Sequence, residues 1–398
     1  MYSLISLAAT LLGLSTGIIA APASTFNFST NLKGFSQPVL SYSAGGKAVC
    51  ISGNVAVKAS ASNTKLNLSN PGNQYTATEA FVEYFQTNST LPSSVNIGTT
   101  TVSGTYNINS KLCYPKSNST ASTIQFLIHG INFDKLYWDI SGLSYLDAAA
   151  AAGHATFSFD RLGTGASDHP DPIQVVQSAL QVEIAHQLIQ SLRSGAVGGV
   201  SWQNIVGVGH SYGSIQSVGL AAQYPKDLDA IILQGFTLDG SSVPATIAAF
   251  NPTIASQNDP TRFGFLPSGY QVVNSAVGDQ TAFYRYPNFL PSTFNYLDSK
   301  KQTFTLGDFL TLTGPVTAAA SFTGPVQIVN GENDFIFCAS NCGYPSDLGA
   351  AVLPALFPAA AAGSRSYLVP GTGHGINAHT TAPKAYAQML SFIESAGF

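Results

Sequence analysis

A serine with glycine two residues away on either side, Gly209-His210-Ser211-Tyr212-Gly213, follows the apolar run Ile205 to Val208 and precedes the helix-compatible stretch SIQSVGLAAQY. Strand, sharp turn and helix in that order hold a serine hydroxyl up above the end of a sheet, and the glycines remove Cβ atoms that would strike the strand and helix. Such a hydroxyl attacks an acyl carbon only when a base takes its proton, an acid orients the base, and donors receive the developing oxyanion. With 37 Gly in 398 residues the pattern alone carries little weight. The other groups have to be found elsewhere in the chain.

Two later loops contain them. After the apolar run Pro325 to Val329 comes Asn330-Gly331-Glu332-Asn333-Asp334, and after Ser366 to Val369 comes Pro370-Gly371-Thr372-Gly373-His374-Gly375. Imidazole titrates near neutrality, which suits His374 to take the Ser211 proton. Asp334 would accept the other imidazole N–H, fix the tautomer and stabilise the imidazolium. Asp239, which follows the run Ala230 to Gln234, is the alternative acid. The expected oxyanion donors are the backbone N–H groups of Tyr212 and of Ile131, the latter following His129-Gly130. His129 and His210 flank this group and read as structural supports rather than as the base.

The elements that must position these residues begin at Thr123. TIQFLI is a buried strand, Ile140 to Ala152 a helix, and HATFSFD, His154 to Asp160, the next strand. Asp171 and Pro172 supply an N-cap and first-turn pair, and Ile173, Val176, Leu180, Ile184 and Leu188 keep helical spacing up to Gly195. Strands alternating with helices predict an α/β fold, a mostly parallel sheet covered by helices on both faces. Loops at the C-terminal ends of such strands face one crevice, and Ser211, Asp334 and His374 all fall there. Gly235 to Gly324 loses the rhythm and is rich in aromatics, so an inserted cap is expected at about 240–323, with some rings lining a substrate cavity. Residues 24–122, rich in Ser, Thr, Asn and Gly, read as a β-rich N-terminal extension to the 123–398 domain, with alternating runs at Val55 to Ala59 and Thr99 to Tyr106.

Composition points to the exterior of the cell. Charged residues are only 9 % of the chain and the formal charge is −4, which leaves no basic patch for nucleic acid. Residues 1–20 read as a signal peptide with cleavage after Ala20 or as late as Ala23, and no later segment is apolar enough to span a bilayer. Sequons at Asn27, Asn67, Asn88 and Asn118 suit glycosylation. The four cysteines suit disulfides, Cys50 with Cys113 and Cys338 with Cys342 being favoured because each pair lies in one region of the chain. Their spacing is not that of a zinc site.

From Thr123 onward the chain resembles the α/β-hydrolase superfamily, through IHG, FDRLGTGAS, GHSYG, GEND and GTGH in that order. With the leader and sequons it is most similar to secreted serine α/β-hydrolases of fungi. The resemblance implies an α/β-hydrolase fold with an inserted cap, an order Ser–Asp–His along the chain, and no metal or cofactor. It implies a secreted serine hydrolase that cleaves an ester or related acyl bond of a hydrophobic small molecule through an acyl-enzyme on Ser211. Epoxide hydrolases and dehalogenases of the superfamily carry Asp where this chain has Ser211. The alternatives are a natural-product tailoring hydrolase, acyltransferase or cyclase with the same triad, and a non-catalytic binding protein on the same scaffold.

Overall fold

The computed structural model describes residues 31–116 and 121–398; the leader and the sequons at Asn27 and Asn118 lie outside the described residues. The strands are β1 (Ser36–Tyr42), β2 (Ala48–Leu66), β3 (Asn96–Pro115), β4 (Thr123–Ile128), β5 (Ala155–Phe159), β6 (Asn204–His210), β7 (Ala230–Gln234), β8 (Thr253–Ile254), β9 (Tyr270–Val272), β10 (Phe304–Thr305), β11 (Val326–Gly331) and β12 (Arg365–Val369). Nine of them form one sheet in the order β1-β2-β3-β5-β4-β6-β7-β11-β12. The six from β5 to β12 run parallel. β4, β5, β7 and β11 are buried at every residue, as strands covered on both faces must be. In register, Ile128 lies beside Gly209, His210 beside Gln234, and Gly331 beside Val369. Their C-terminal ends therefore open onto one edge, the chain is mostly parallel with helices between strands, and the α/β-hydrolase fold expectation holds.

The N-terminal strands continue this same sheet. β3 pairs antiparallel with β5 over Ser110 to Cys113, and β2 pairs with β3 along nearly its whole length. Burial alternates along β2, which gives the period-two pattern of a sheet with one face packed. Only short runs of it were legible because Ser, Thr and Asn fill the exposed positions. The connection between β2 and β3 holds two helices, Gln74–Phe85 and Leu91–Ser94, that the β-rich reading did not foresee. Cys50 and Cys113 face each other across β2 and β3 and are bonded; Cys338 is bonded to Cys342. Asn67 and Asn88 are exposed.

Two helix expectations shift. Ile140 to Ala152 yields a helix only over Tyr145–Ala151, because Ser144 caps its start by accepting from the Asp147 N–H. The helix expected from Asp171 begins at Ser178 and ends at Arg193. Asp171 does bond the Ile173 and Gln174 N–H groups, but Gln174 and Gln177 turn their side chains to the β2 backbone at Leu66 and Thr64. Tertiary hydrogen bonds thus replace the first helical turns. Between β7 and β11 the chain forms six helices and a three-stranded antiparallel sheet, β10-β9-β8. No helix among the described residues is long and apolar enough to cross a membrane.

One carboxylate locks the N-terminal hairpin to the parallel part. Asp147 accepts from the Ser43 hydroxyl at 2.5 Å, the Gly45 N–H at 2.5 Å and the Lys47 N–H at 2.9 Å. Hydrogen bonds to a charged, buried acceptor contribute about 1.5–3 kcal/mol each and are not additive. Asp147→Ala is expected to destabilise the protein by about 3 kcal/mol, read from urea unfolding; an unchanged midpoint would contradict the anchoring role.

Candidate active site

Ser211 sits between β6 and the helix Tyr212–Gln223 with φ 56° and ψ −118°. A non-glycine residue there is strained. The turn is held by the Ser211 N–H, which donates to the Gln234 carbonyl at 2.8 Å, and by close packing at Gly213, where a Cβ would lie 2.0 Å from the Ile128 carbonyl oxygen. Ser211 is 8 % exposed and opens onto a cavity of about 80 Å³. Ile131, Tyr212, Phe250, Phe283, Phe309 and Phe337 also line it. Three of these rings, Phe250, Phe283 and Phe309, come from the interval between β7 and β11 where the sequence expected substrate-lining aromatics, and Phe337 comes from beyond β11. Tyr212 opens its helix, so its N–H has no intrahelical acceptor. The N–H groups of Ile131 and Tyr212 thus belong to residues on the same cavity as the serine.

His374 and Asp334 meet in the interior. The His374 Nδ1 lies 2.6 Å from Asp334 Oδ2, and both side chains are wholly buried. The other Asp334 oxygen accepts from the Phe337 N–H at 2.9 Å, so both carboxylate oxygens are committed and its orientation is fixed. With Nδ1–H donated to the carboxylate, Nε2 is the basic nitrogen, and it is buried without a hydrogen-bond partner. The Phe283 and Phe337 rings that line the serine cavity stand 5.6 Å and 5.7 Å from the imidazole. Gly235, next to the residue that bonds Ser211, abuts the imidazole so closely that a Cβ would lie 2.9 Å from its Cε1. Asp239 is not part of this group; its carboxylate accepts from the Ser241 N–H, closing a local turn.

Three further histidines are fixed as neutral supports. His129 Nδ1–H donates to the Gly130 carbonyl at 2.8 Å, and its Nε2 accepts from the Arg161 N–H at 3.0 Å. His210 Nε2–H donates to the His374 carbonyl at 3.1 Å, its ring stacked on Tyr137. Burial holds both well below the ordinary histidine value. His379, which the sequence reading passed over, accepts at Nε2 from the Gly373 and Arg285 N–H groups and donates from Nδ1 to the Gly375 carbonyl. It clamps the loop on both sides of His374, and burial lowers it to about 4.

A second missed group lies beneath Tyr212. Its phenol donates to Asp308 at 3.0 Å and contacts the Ser178 hydroxyl at 2.7 Å, while the buried Arg161 guanidinium sits 4.6 Å over its ring. Asp308 also accepts from Gln181 at 2.6 Å; burial pushes it up to about 6 against the pull of Arg161. The partners come from four separate segments, so no spacing in the sequence announces them.

The loop carrying Ile131 is tied in the same way. Asn132, at φ 74°, donates to Asp279 at 2.5 Å. Burial first, then Asp298, push Asp279 up to about 7, while Lys301 and the Asn132 bond oppose the shift. An ordinary carboxyl in the unfolded chain ionises near pH 4, so between about pH 4 and 7 the folded state holds a proton the unfolded state has lost, and stability falls as pH rises. Asp279→Asn removes this titration. Its unfolding midpoint is expected to fall less than that of the parent between pH 5 and 8; parallel profiles would contradict the assignment.

Residues 126–389 match the Alpha/beta hydrolase family. No curated protein sequence matches the chain. Among solved structures it is similar to a thermophilic esterase from Thermogutta terrifontis, at 14 % identity and a TM-score of 0.52 over 73 % of this chain and 95 % of that one. A soluble variant of monoglyceride lipase from Saccharomyces cerevisiae aligns at 14 % identity and 0.52, covering 73 % and 92 %. An epoxide hydrolase from Vigna radiata aligns at 16 % identity and 0.50, covering 72 % and 95 %. These likenesses are of fold. With the family matched over well more than half its length, the chain belongs to the alpha/beta hydrolase family.

Proposed function

We propose that this hydrolase-family protein is a secreted serine hydrolase that cleaves an ester or related acyl bond of a hydrophobic small molecule. The observation that carries the reading is the buried 2.6 Å contact of His374 Nδ1 with Asp334, which leaves Nε2 basic and unpartnered. A histidine in that state is poised to take a proton from Ser211.

In the first half of the reaction, the Ser211 oxygen attacks the acyl carbon as Nε2 takes the hydroxyl proton. The carbonyl oxygen becomes an oxyanion facing the N–H groups of Ile131 and Tyr212. Collapse breaks the acyl–oxygen bond, and the alcohol leaves with the proton from Nε2. Water then attacks the acyl-serine with His374 again as base, releasing the acid and restoring the hydroxyl. Asp334 keeps Nδ1–H in place and offsets the positive charge of the imidazolium. The apolar cavity wall supports a hydrophobic acyl or alcohol group. The two disulfides, the exposed sequons at Asn67 and Asn88 and the leader-like N-terminus support export.

The two acids separate cleanly by substitution. Asp334→Asn is expected to lower kcat/KM on a p-nitrophenyl ester by about 10³–10⁴-fold, and Asp239→Asn to change it by less than about twofold. The reverse ranking would remove Asp334 from the mechanism.

A further inference from the structure

The serine cavity shares a wall with a second apolar pocket. That pocket, of about 290 Å³, lies between the helix Gln74–Phe85 of the β2–β3 connection and the helix Leu306–Thr311. Phe309 lines both spaces. Its ring stands edge-on to Phe81 at 5.5 Å, Tyr84 at 5.8 Å and Phe85 at 6.4 Å. The neighbouring Asp308 is bonded to the Tyr212 phenol, so the short helix that carries the wall is fixed to the residue after the nucleophile. Among the described residues no charged side chain lines the larger pocket; Leu68, Ala80, Leu91, Val95 and Leu310 give it an aliphatic surface.

The sizes set the chemistry. About 80 Å³ beside Ser211 accepts a few water-sized groups, enough for the reacting ester and a short stub. We propose that the larger pocket receives the alkyl tail of the substrate, passing Phe309, so that the protein acts on esters of long, unbranched chains. Turnover of such esters rests on the Ser211 reading; binding of the tail does not. Each buried methylene strengthens binding by about fourfold, so a chain that reaches the pocket is held far more tightly than one that stops at Phe309. The specificity then lies in a helix outside the region shared with the family, since the matched residues begin at 126.

The test uses Ser211→Ala full-length protein and calorimetry with dodecanoate and hexanoate. Ala80, half-buried on the pocket wall, is replaced by Trp to fill the space and separately by Asp to charge it, with melting curves confirming that each variant folds. Dodecanoate is expected to bind at least about tenfold tighter than hexanoate, and both Ala80 variants to lose most of that margin. Equal affinities for the two acids, or a margin untouched in a folded Ala80 variant, overturn the proposal. With Ser211 present, the dodecanoyl-to-acetyl ratio of kcat/KM falls about tenfold in the same variants. Tail binding through Ala80 without any ester turnover would sink the serine-hydrolase reading and leave the pocket assignment standing; turnover with no effect at Ala80 would do the opposite.

Discussion

The backbone at Ser211 is the constraint on which the rest of the site depends. A serine at φ 56° and ψ −118° costs on the order of 1–3 kcal/mol, and persists only when its surroundings over-determine it. Those surroundings are the sheet itself. β6 hands the chain to the turn between β4 and β7, the Gln234 carbonyl captures the Ser211 N–H, and the helix after it packs so tightly on β4 that only glycine fits at 213. Register then does the remaining positioning, because the ends of β7, β11 and β12 stand in the adjacent places.

Around that turn the polar interior is organised by neutral histidines and buried carboxylates with assigned partners. His129 and His379 spend both ring nitrogens on backbone groups around the candidate site, and His210 spends Nε2 on the His374 carbonyl while its Nδ1 is buried without a partner. Of the four histidines at the site, His374 alone has a carboxylate on one nitrogen, and its other nitrogen is unpartnered. These four imidazoles thus divide into three that brace main-chain groups and one, held by a carboxylate, that is proposed to exchange a proton, and the hydrogen-bond partner makes the difference. Asp308 and Asp279 extend the bracing outward: the segment between β7 and β11 is tied to Tyr212 through one and to Asn132 through the other. The segment over the serine is therefore bonded to Tyr212 itself and to the residue next to Ile131, Tyr212 and Ile131 being the two residues proposed to receive the oxyanion.

How far this was legible follows from the physics of each element. TIQFLI and AIILQ are central strands buried on both faces, so they appear in the sequence as unbroken apolar runs and the observed bounds, Thr123–Ile128 and Ala230–Gln234, agree with the expected ones. Ser211 and Asp334 stood out as candidates because each follows such a run, and His374 because it follows β12, a half-buried edge strand. His379 was not, since it acts by bonding main-chain groups that carry no sequence signal. Arg161 stood inside a quoted motif, but its partners, Asp308 and Tyr212, are distant in the chain. The helix Gln74–Phe85 was hidden because the Ser- and Thr-rich composition around it favours a strand reading, whereas its Asn73 capping box and the buried Ala77 and Phe81 settle it as a helix.

The central claim is that Ser211 is a nucleophile activated by the buried His374–Asp334 pair. Reaction with a fluorophosphonate followed by peptide mapping tests it most directly, because the reagent bonds to an activated serine and records its position. The account predicts one adduct, on the peptide that contains Ser211, absent in Ser211→Ala and much slowed in His374→Ala. An adduct on a different serine, or labelling of the parent protein that is undiminished in Ser211→Ala, would contradict it.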